Sequence, residues 1–282
     1  MYCIYQKKTV PLQRGTAKHT PMLQENTPYQ QISDAIQKEG FSALTLQLID
    51  NYTNDIINGR TNISRFNLQE HAGLCCAGAV LIGAYVVCDY ARRSLTTSSD
   101  ASVCQTNPAN WEIDAKQEAL VQQWAEAMHL WIPNSEQMLT KTFGPKIAQG
   151  AEAKVYYKEG STSVIKERTS IYSTLGKAFE AIVLHNALFP ETQMSVIGFT
   201  RDLDGLFRTV LTQPYVGCAR LATKEEIDLL VESKGFVDNR EGEGVNYIGD
   251  RLYLEDMHPA NVFIDKISQT PICIDCIVKF KV

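Results

Sequence analysis

Apolar residues in the N-terminal third recur at helical intervals. Between Tyr29 and about Asn58 they fall at Ile32, Ala35, Ile36, Phe41, Leu44, Leu46, Leu48, Ile49, Ile56 and Ile57, with a break at Gly40. That spacing predicts helical segments with one face turned to a core. Residues 1–30 are rich in Gln, Thr, Lys and Pro with little periodic apolar content, which predicts a flexible tail. Ala72 to Cys88 holds no charged residue and lies at the short edge of what a membrane span needs. Its glycines, its cysteines and Tyr85 dilute the hydrophobicity and Asp89 closes it, so the expectation is the buried centre of a helical bundle. A span there, with Arg92-Arg93 on the inner side, is the lesser reading. From Tyr90 to Asn110 the chain turns to Arg, Ser, Thr, Asp and Asn, the composition of a linker. Asp114 then reads as the cap of a helix from Ala115 to Trp131, with Leu120, Trp124, Met128 and Trp131 on one core-facing stripe.

The second half changes period. Pro145-Lys-Ile-Ala-Gln-Gly150 reads as a strand running into a turn, Ala151-Glu-Ala-Lys-Val-Tyr-Tyr157 as the return strand, and Thr162-Ser-Val-Ile-Lys166-Glu as a third, antiparallel one. Ser173 to Leu188 is helical in character and ends before Pro190. Beyond 166, mainly helical or loop segments are expected, which with the strands makes a mixed α+β arrangement. Near the C-terminus, Val262-Phe-Ile264 and the segment ending at Asp275 read as two strands joined by the turn residues Lys266-Ile-Ser-Gln-Thr-Pro271.

Composition adds limits. The formal charge is −5, so no global basic field favours nucleic acid. The N-terminus has Gln6-Lys-Lys8 and no apolar secretory core, which points to a cytoplasmic chain whose eight cysteines are free thiols. Cys273-Ile-Asp-Cys276 has C-x-x-C spacing, but no second pair completes a zinc site and an extended strand would turn the two thiols to opposite sides, so core packing is expected.

The chemistry lies in Asp256-Met-His-Pro-Ala-Asn261 followed by Ile272-Cys-Ile-Asp275. An Asp that orients a hydroxyl, an Asn five residues on that holds Mg²⁺ and a second Asp that bridges metal to ATP phosphates are what phosphoryl transfer requires. The catalytic candidate is Asp256; the metal candidates are Asn261 and Asp275. Upstream, the turn at Gly150 and Ala151 can offer backbone N–H groups to phosphate, and Lys166 can pair with the α- and β-phosphates. Glu180, on the helix that follows, is the expected carboxylate partner of Lys166. His258 is expected to orient the loop.

Residues from about 111 to 280 resemble the kinase-like domain of polyvalent proteins from bacterial mobile elements and phages. The resemblance rests on Ile147-Ala-Gln-Gly-Ala-Glu-Ala-Lys-Val-Tyr156, Leu184-His-Asn-Ala-Leu-Phe-Pro-Glu191, Ile197-Gly-Phe-Thr200, Leu211-Thr-Gln-Pro-Tyr215 and Leu254-Glu-Asp-Met-His-Pro-Ala-Asn-Val262. It implies an ATP-binding, two-lobed kinase-like fold that phosphorylates Ser, Thr or Tyr, and it sets the backbone of Gln213 and Tyr215 against the adenine. The chain departs from ordinary protein kinases in its single loop glycine, in Leu254-Glu255 before Asp256 and in Cys276-Ile277 after Asp275. Seven residues follow Asp275, from which a minimal fold with a truncated C-lobe is expected. The division that follows is a tail at 1–30, a small helical N-terminal region of unknown role at 31–92, a linker at 93–110 and a kinase-like domain at 111–282. The expected partners are ATP and a protein or small-molecule hydroxyl acceptor. A nucleotide-binding pseudokinase, an AMP transferase and a small-molecule kinase stay open as alternatives.

Overall fold

The computed structural model describes residues 27–61, 71–96, 108–133, 135–170, 172–239 and 247–281. The expected tail before residue 27 and the centre of the expected linker, 97–107, lie outside them. Four helices come first: α1 (Pro28–Glu39), α2 (Ala43–Ile57), α3 (His71–Thr96) and α4 (Asn110–Ala127). The hydroxyl of Thr27 caps α1, whose Pro28 needs no N–H partner, and Gly40 ends it at φ 63°, where a side chain would be strained. Ser42 caps α2 through the N–H of Thr45. A kink at Gly78 divides α3, and Leu81 to Cys88 beyond it are buried almost without exception. The second half of the uncharged run, Leu81 to Cys88, is therefore buried in a bundle, as expected, and no helix of the described residues is long and apolar enough to cross a membrane. The helix continues past the predicted boundary to Thr96 because Asp89 binds both Arg92 and Arg93 at 2.8 Å along its last turns.

The chain then builds α5 (Ser135–Phe143), β1 (Lys146–Gln149), β2 (Ala153–Tyr156), β3 (Ser163–Arg168), α6 (Leu175–Leu188), β4 (Ser195–Arg201) and β5 (Phe207–Pro214). The strands form one antiparallel sheet in the order β1-β2-β3-β5-β4. Alternation along β3 turns Ile165 and Glu167 toward α5, where the Tyr156 hydroxyl donates to Glu167 at 2.9 Å, and turns Lys166 and Arg168 to the opposite face. Below follow β6 (Cys218–Leu221), α7 (Lys224–Glu232), β7 (Val237–Asp238), β8 (Tyr247–Ile248), β9 (Leu252–Glu255), β10 (Val262–Asp265), β11 (Pro271–Cys273) and β12 (Ile277–Phe280). They form a three-stranded sheet, β11-β10-β6, and a four-stranded one, β12-β9-β8-β7. The expectation of mainly helix and loop between residue 166 and the C-terminal hairpin is corrected: among the described residues nine strands, β4 to β12, lie beyond 166, and of these β10 and β11 are the pair expected. Several are only two to four residues long, too short for a period-two pattern to stand out in the sequence.

Two helix ends are organised differently from the expectation. Helix α4 starts at Asn110 over Ala109, and Asp114 lies inside it. The Asp114 carboxylate instead accepts the N–H of Leu175 at 2.6 Å, satisfying a free donor at the start of α6. Gln117 does the same for Gly176 at 2.9 Å and returns its amide to the Cys88 carbonyl at 3.0 Å. Helix α4 ends at Ala127, short of the expected Trp131, so of the predicted stripe only Leu120 and Trp124 lie on it; Met128 and Trp131 follow it, and all four pack on the core, with Trp124 edge-on to Phe199 of β4. One continuous core runs from Ile32 through α3, α4 and α6 to Phe280, so the N-terminal helices and the sheet share an interior.

The quoted Ile197-Gly-Phe-Thr200 stretch has a packing reason. A Cβ on Gly198 would lie 2.8 Å from the Leu130 carbonyl oxygen and 2.7 Å from Ile132, because Phe199 exchanges backbone hydrogen bonds with both residues. Gly150, by contrast, has open space around its missing Cβ. Gly198→Ala is expected to lower stability by about 1–3 kcal/mol and Gly150→Ala to change it by less than about 0.5 kcal/mol. Denaturant midpoints of the two variants check the contrast.

Candidate active site

The upper wall of the cleft is β3 with the turn between β1 and β2. That turn closes through Gly150 N–H to the Ala153 carbonyl at 2.9 Å, leaving Gly150 and Ala151 exposed, and the Glu152 carbonyl accepts from Thr169 just past β3 at 2.8 Å. Lys166 crosses the cleft. Its ammonium donates to the Ile274 carbonyl at 3.0 Å and meets Asp275 Oδ2 at 3.4 Å. The buried Gln213 amide donates to the same Ile274 carbonyl at 3.0 Å and to the Thr192 carbonyl at 2.8 Å.

The lower wall is the loop between β9 and β10. Asp256 has φ 62°, a left-handed conformation that Asp tolerates better than most residues. Asn261 holds it there, its amide donating to the Asp256 carbonyl and to Oδ2, each at 2.9 Å. His258 Nδ1 accepts the N–H of Ala260 at 3.2 Å, so Nε2 carries the proton and lies 3.3 Å from Asp256 Oδ1. His258 thus orients the loop. Both oxygens of Asp256 are fixed while the residue stays open to solvent. The two halves meet at one residue: Ile274 N–H donates to the Asn261 carbonyl at 2.9 Å. The strand expected to end at Asp275 stops at Cys273, and the chain turns through Ile274 and Asp275 before β12.

Asp275 lies between two cations, Lys166 on Oδ2 and Arg168 on Oδ1, both at 3.4 Å. Burial pushes its carboxyl up, but the Lys166 ammonium and the Arg168 guanidinium, with His185 near by, together hold it down to about 2. Lys166 does not pair with Glu180; its two partners are Ile274 and Asp275. The helix phase explains the correction. Glu180 meets Lys177 at 2.9 Å and borders a cavity with Tyr85, Cys88 and Gln117, on the flank that faces α3 and α4. His185, five residues on and so about 140° around the helix, is the side chain that α6 sends toward Cys276. Burial lowers the His185 imidazole to about 4, so it is neutral, with Nδ1 3.3 Å from Cys276 Sγ.

The two thiols of the C-x-x-C run are both free and buried, as expected of core residues. The expectation that they face apart fails because the chain is not extended there. Cys273 Sγ donates to the Asp275 carbonyl at 3.1 Å, and the two thiols are close enough to interact. Tyr215 is also placed otherwise than read. Its N–H is taken by the Thr162 carbonyl at 2.9 Å and its ring stacks on Tyr157 at 4.5 Å, while the backbone of Gln213 lies in the β3–β5 ladder opposite Val164. Among the described residues the next N–H, that of Val216, has no partner. Arg168 and Glu152 were missed as site residues; the i, i+2 spacing of Arg168 from Lys166 on a strand was the available signal.

A five-stranded antiparallel sheet whose third strand carries a lysine, a helix after it, and an Asp–Asn loop beside a second Asp define a kinase-like fold of the α+β class. The family model of the Serine/Threonine/Tyrosine kinases found in polyvalent proteins matches residues 114–282, and the chain belongs to that family. A comparison with curated proteins returned no match.

Because the folded-state value of Asp275 lies near 2, below the ordinary 3.8, its ionised form stabilises the fold above about pH 4 and that contribution is lost as pH falls toward 2. Asp275→Asn is therefore expected to be less stable than the wild type near neutral pH, with the gap narrowing through that window. Urea unfolding at stepped pH measures it; a gap of constant size would refute the charge pairing.

Proposed function

We propose that the chain transfers the γ-phosphate of Mg-ATP to a hydroxyl acceptor. The observation that carries this reading is the convergence of Lys166, Gln213 and Asn261 on the backbone of one residue, Ile274, next to Asp275. Magnesium is a hard cation that takes oxygen ligands, commonly one or two from protein with phosphates and water completing the shell. The donors here fit that habit. Asp275 is ionised and its side chain keeps 24% exposure. The amide nitrogen of Asn261 is spent on Asp256, leaving Oδ1 as an acceptor. No group of three His, Cys, Asp or Glu among the described residues could hold a metal by itself, in keeping with an ion that arrives with phosphate oxygens. Bound there, it would neutralise charge on the β- and γ-phosphates.

In this reading Lys166 leaves Asp275 for the α- and β-phosphates, and the exposed turn offers them the backbone N–H of Ala151, that of Gly150 being given to the Ala153 carbonyl. The free N–H of Val216, rather than that of Tyr215, meets the adenine edge. Asp256, its carboxylate aimed by His258 and Asn261, accepts the hydrogen bond of the attacking hydroxyl. Catalysis is then positioning and charge compensation, in a site whose dipoles are already set.

Protein incubated with Mg²⁺ and ATP labelled at the γ- or α-phosphate tests this. Wild type is expected to transfer γ-label, with Asp256→Asn reduced about 10²-fold or more. Asp275→Ala, still folded by circular dichroism, should show no transfer. Label from the α-position would mean AMP transfer, and ATP bound without any transfer would mean a pseudokinase.

A further inference from the structure

Arg168 is shared between two carboxylates. Its Nη1 lies 3.4 Å from Asp275 Oδ1 and its Nη2 lies 3.4 Å from Glu152 Oε2. A guanidinium committed to one carboxylate sits closer and binds it with two donors, as Arg208 does with Asp202 in this same sheet, at 2.9 and 2.7 Å. Arg168 has neither geometry. It is a buried cation with its third contact, to Met194 Sδ at 3.9 Å, too weak to hold it. Glu152 belongs to the β1–β2 turn, and its backbone is tied to the end of β3 through Thr169.

We propose that Arg168 competes with metal for Asp275 and that Glu152, carried by the turn, draws the guanidinium away and so leaves Oδ1 with the Cys276 N–H alone, at 3.0 Å, and a lone pair open to the metal. This rests on the reading of Asp275 as a metal ligand. With Lys166 and Arg168 both on it, Asp275 is over-compensated and offers a dication no net negative charge. Lys166 has the phosphates to move to; Arg168 has only Glu152. Arg168 and Glu152 are positioning residues, and they link the seating of the turn to the state of the metal-binding carboxylate.

The test is metal binding by the full chain, with Mn²⁺ followed by its paramagnetic resonance and ATP replaced by its imido analogue. R168Q is expected to bind Mn²⁺ about fivefold more tightly, E152Q about fivefold more weakly, and the double variant like R168Q alone. R168K should return toward wild type. A merely structural Arg168 would weaken binding when removed, and that result, or an unchanged affinity, overturns the proposal. So does an E152Q effect that persists undiminished in the double variant, which would make Glu152 act on the metal directly. Glu152 sits on the solvent-facing turn, so E152Q can be read even where R168Q does not fold. If wild type and D275N take up Mn²⁺ alike, the metal-site reading itself falls, and this inference with it.

Discussion

The backbone of Ile274 is where the molecule is tied together. Two side chains of the upper sheet, Lys166 from β3 and Gln213 from β5, are buried and must find acceptors away from water. Both reach the same carbonyl oxygen, while the N–H of that residue is given to Asn261 in the loop below. The upper sheet, the Asp–Asn loop and the segment bearing Asp275 therefore cannot shift independently. A displacement of any one leaves a polar group unpaired in the interior, at a cost of about 1–3 kcal/mol. This explains how short strands and a loop without regular structure hold five functional groups in register.

The two aspartates of the cleft are held by different means. Asp275 is held by charge, with a cation near each oxygen, and by the Cys276 N–H on Oδ1 at 3.0 Å. Asp256 is held by hydrogen bonds from the Asn261 amide, with His258 Nε2 3.3 Å from Oδ1, and remains in solvent. The first environment favours the ionised form; the second sets direction while leaving lone pairs for a partner. Two carboxylates near each other with unlike surroundings are suited to unlike tasks.

Much of this was legible in the sequence because it is local. The turn at Gly150, the lysine on a β-branched strand, the hairpin returning toward Asp275 and the five-residue spacing of Asp256 and Asn261 all depend on residues within about a dozen positions. The misreadings share the opposite trait. Lys166 was matched to Glu180 by order along the chain, but the choice was made by the rotational phase of α6, which α3 and α4 set from outside. Asp114 looked like the cap of its own helix and caps another some sixty residues on. Cys273 and Cys276 were judged on an extended geometry that the turn at Asp275 abolishes. Each depended on where a distant element lies, which period and spacing do not encode.

The enclosure of α6 has a wider meaning. Most of its residues from Leu175 to Asn186 are buried, its start is secured by Asp114 and Gln117 from α4, and α3 covers one flank. In kinases that are switched by swinging this helix, one side of it faces water and can slide. Here the helix is bolted on both sides, so the large, slow lever of control is gone. The exposed part of the upper wall is the three-residue turn between β1 and β2, an element of the kind that rearranges in nanoseconds to microseconds rather than milliseconds. A chain built this way would answer to what enters its cleft, not to a signal pressed on its back.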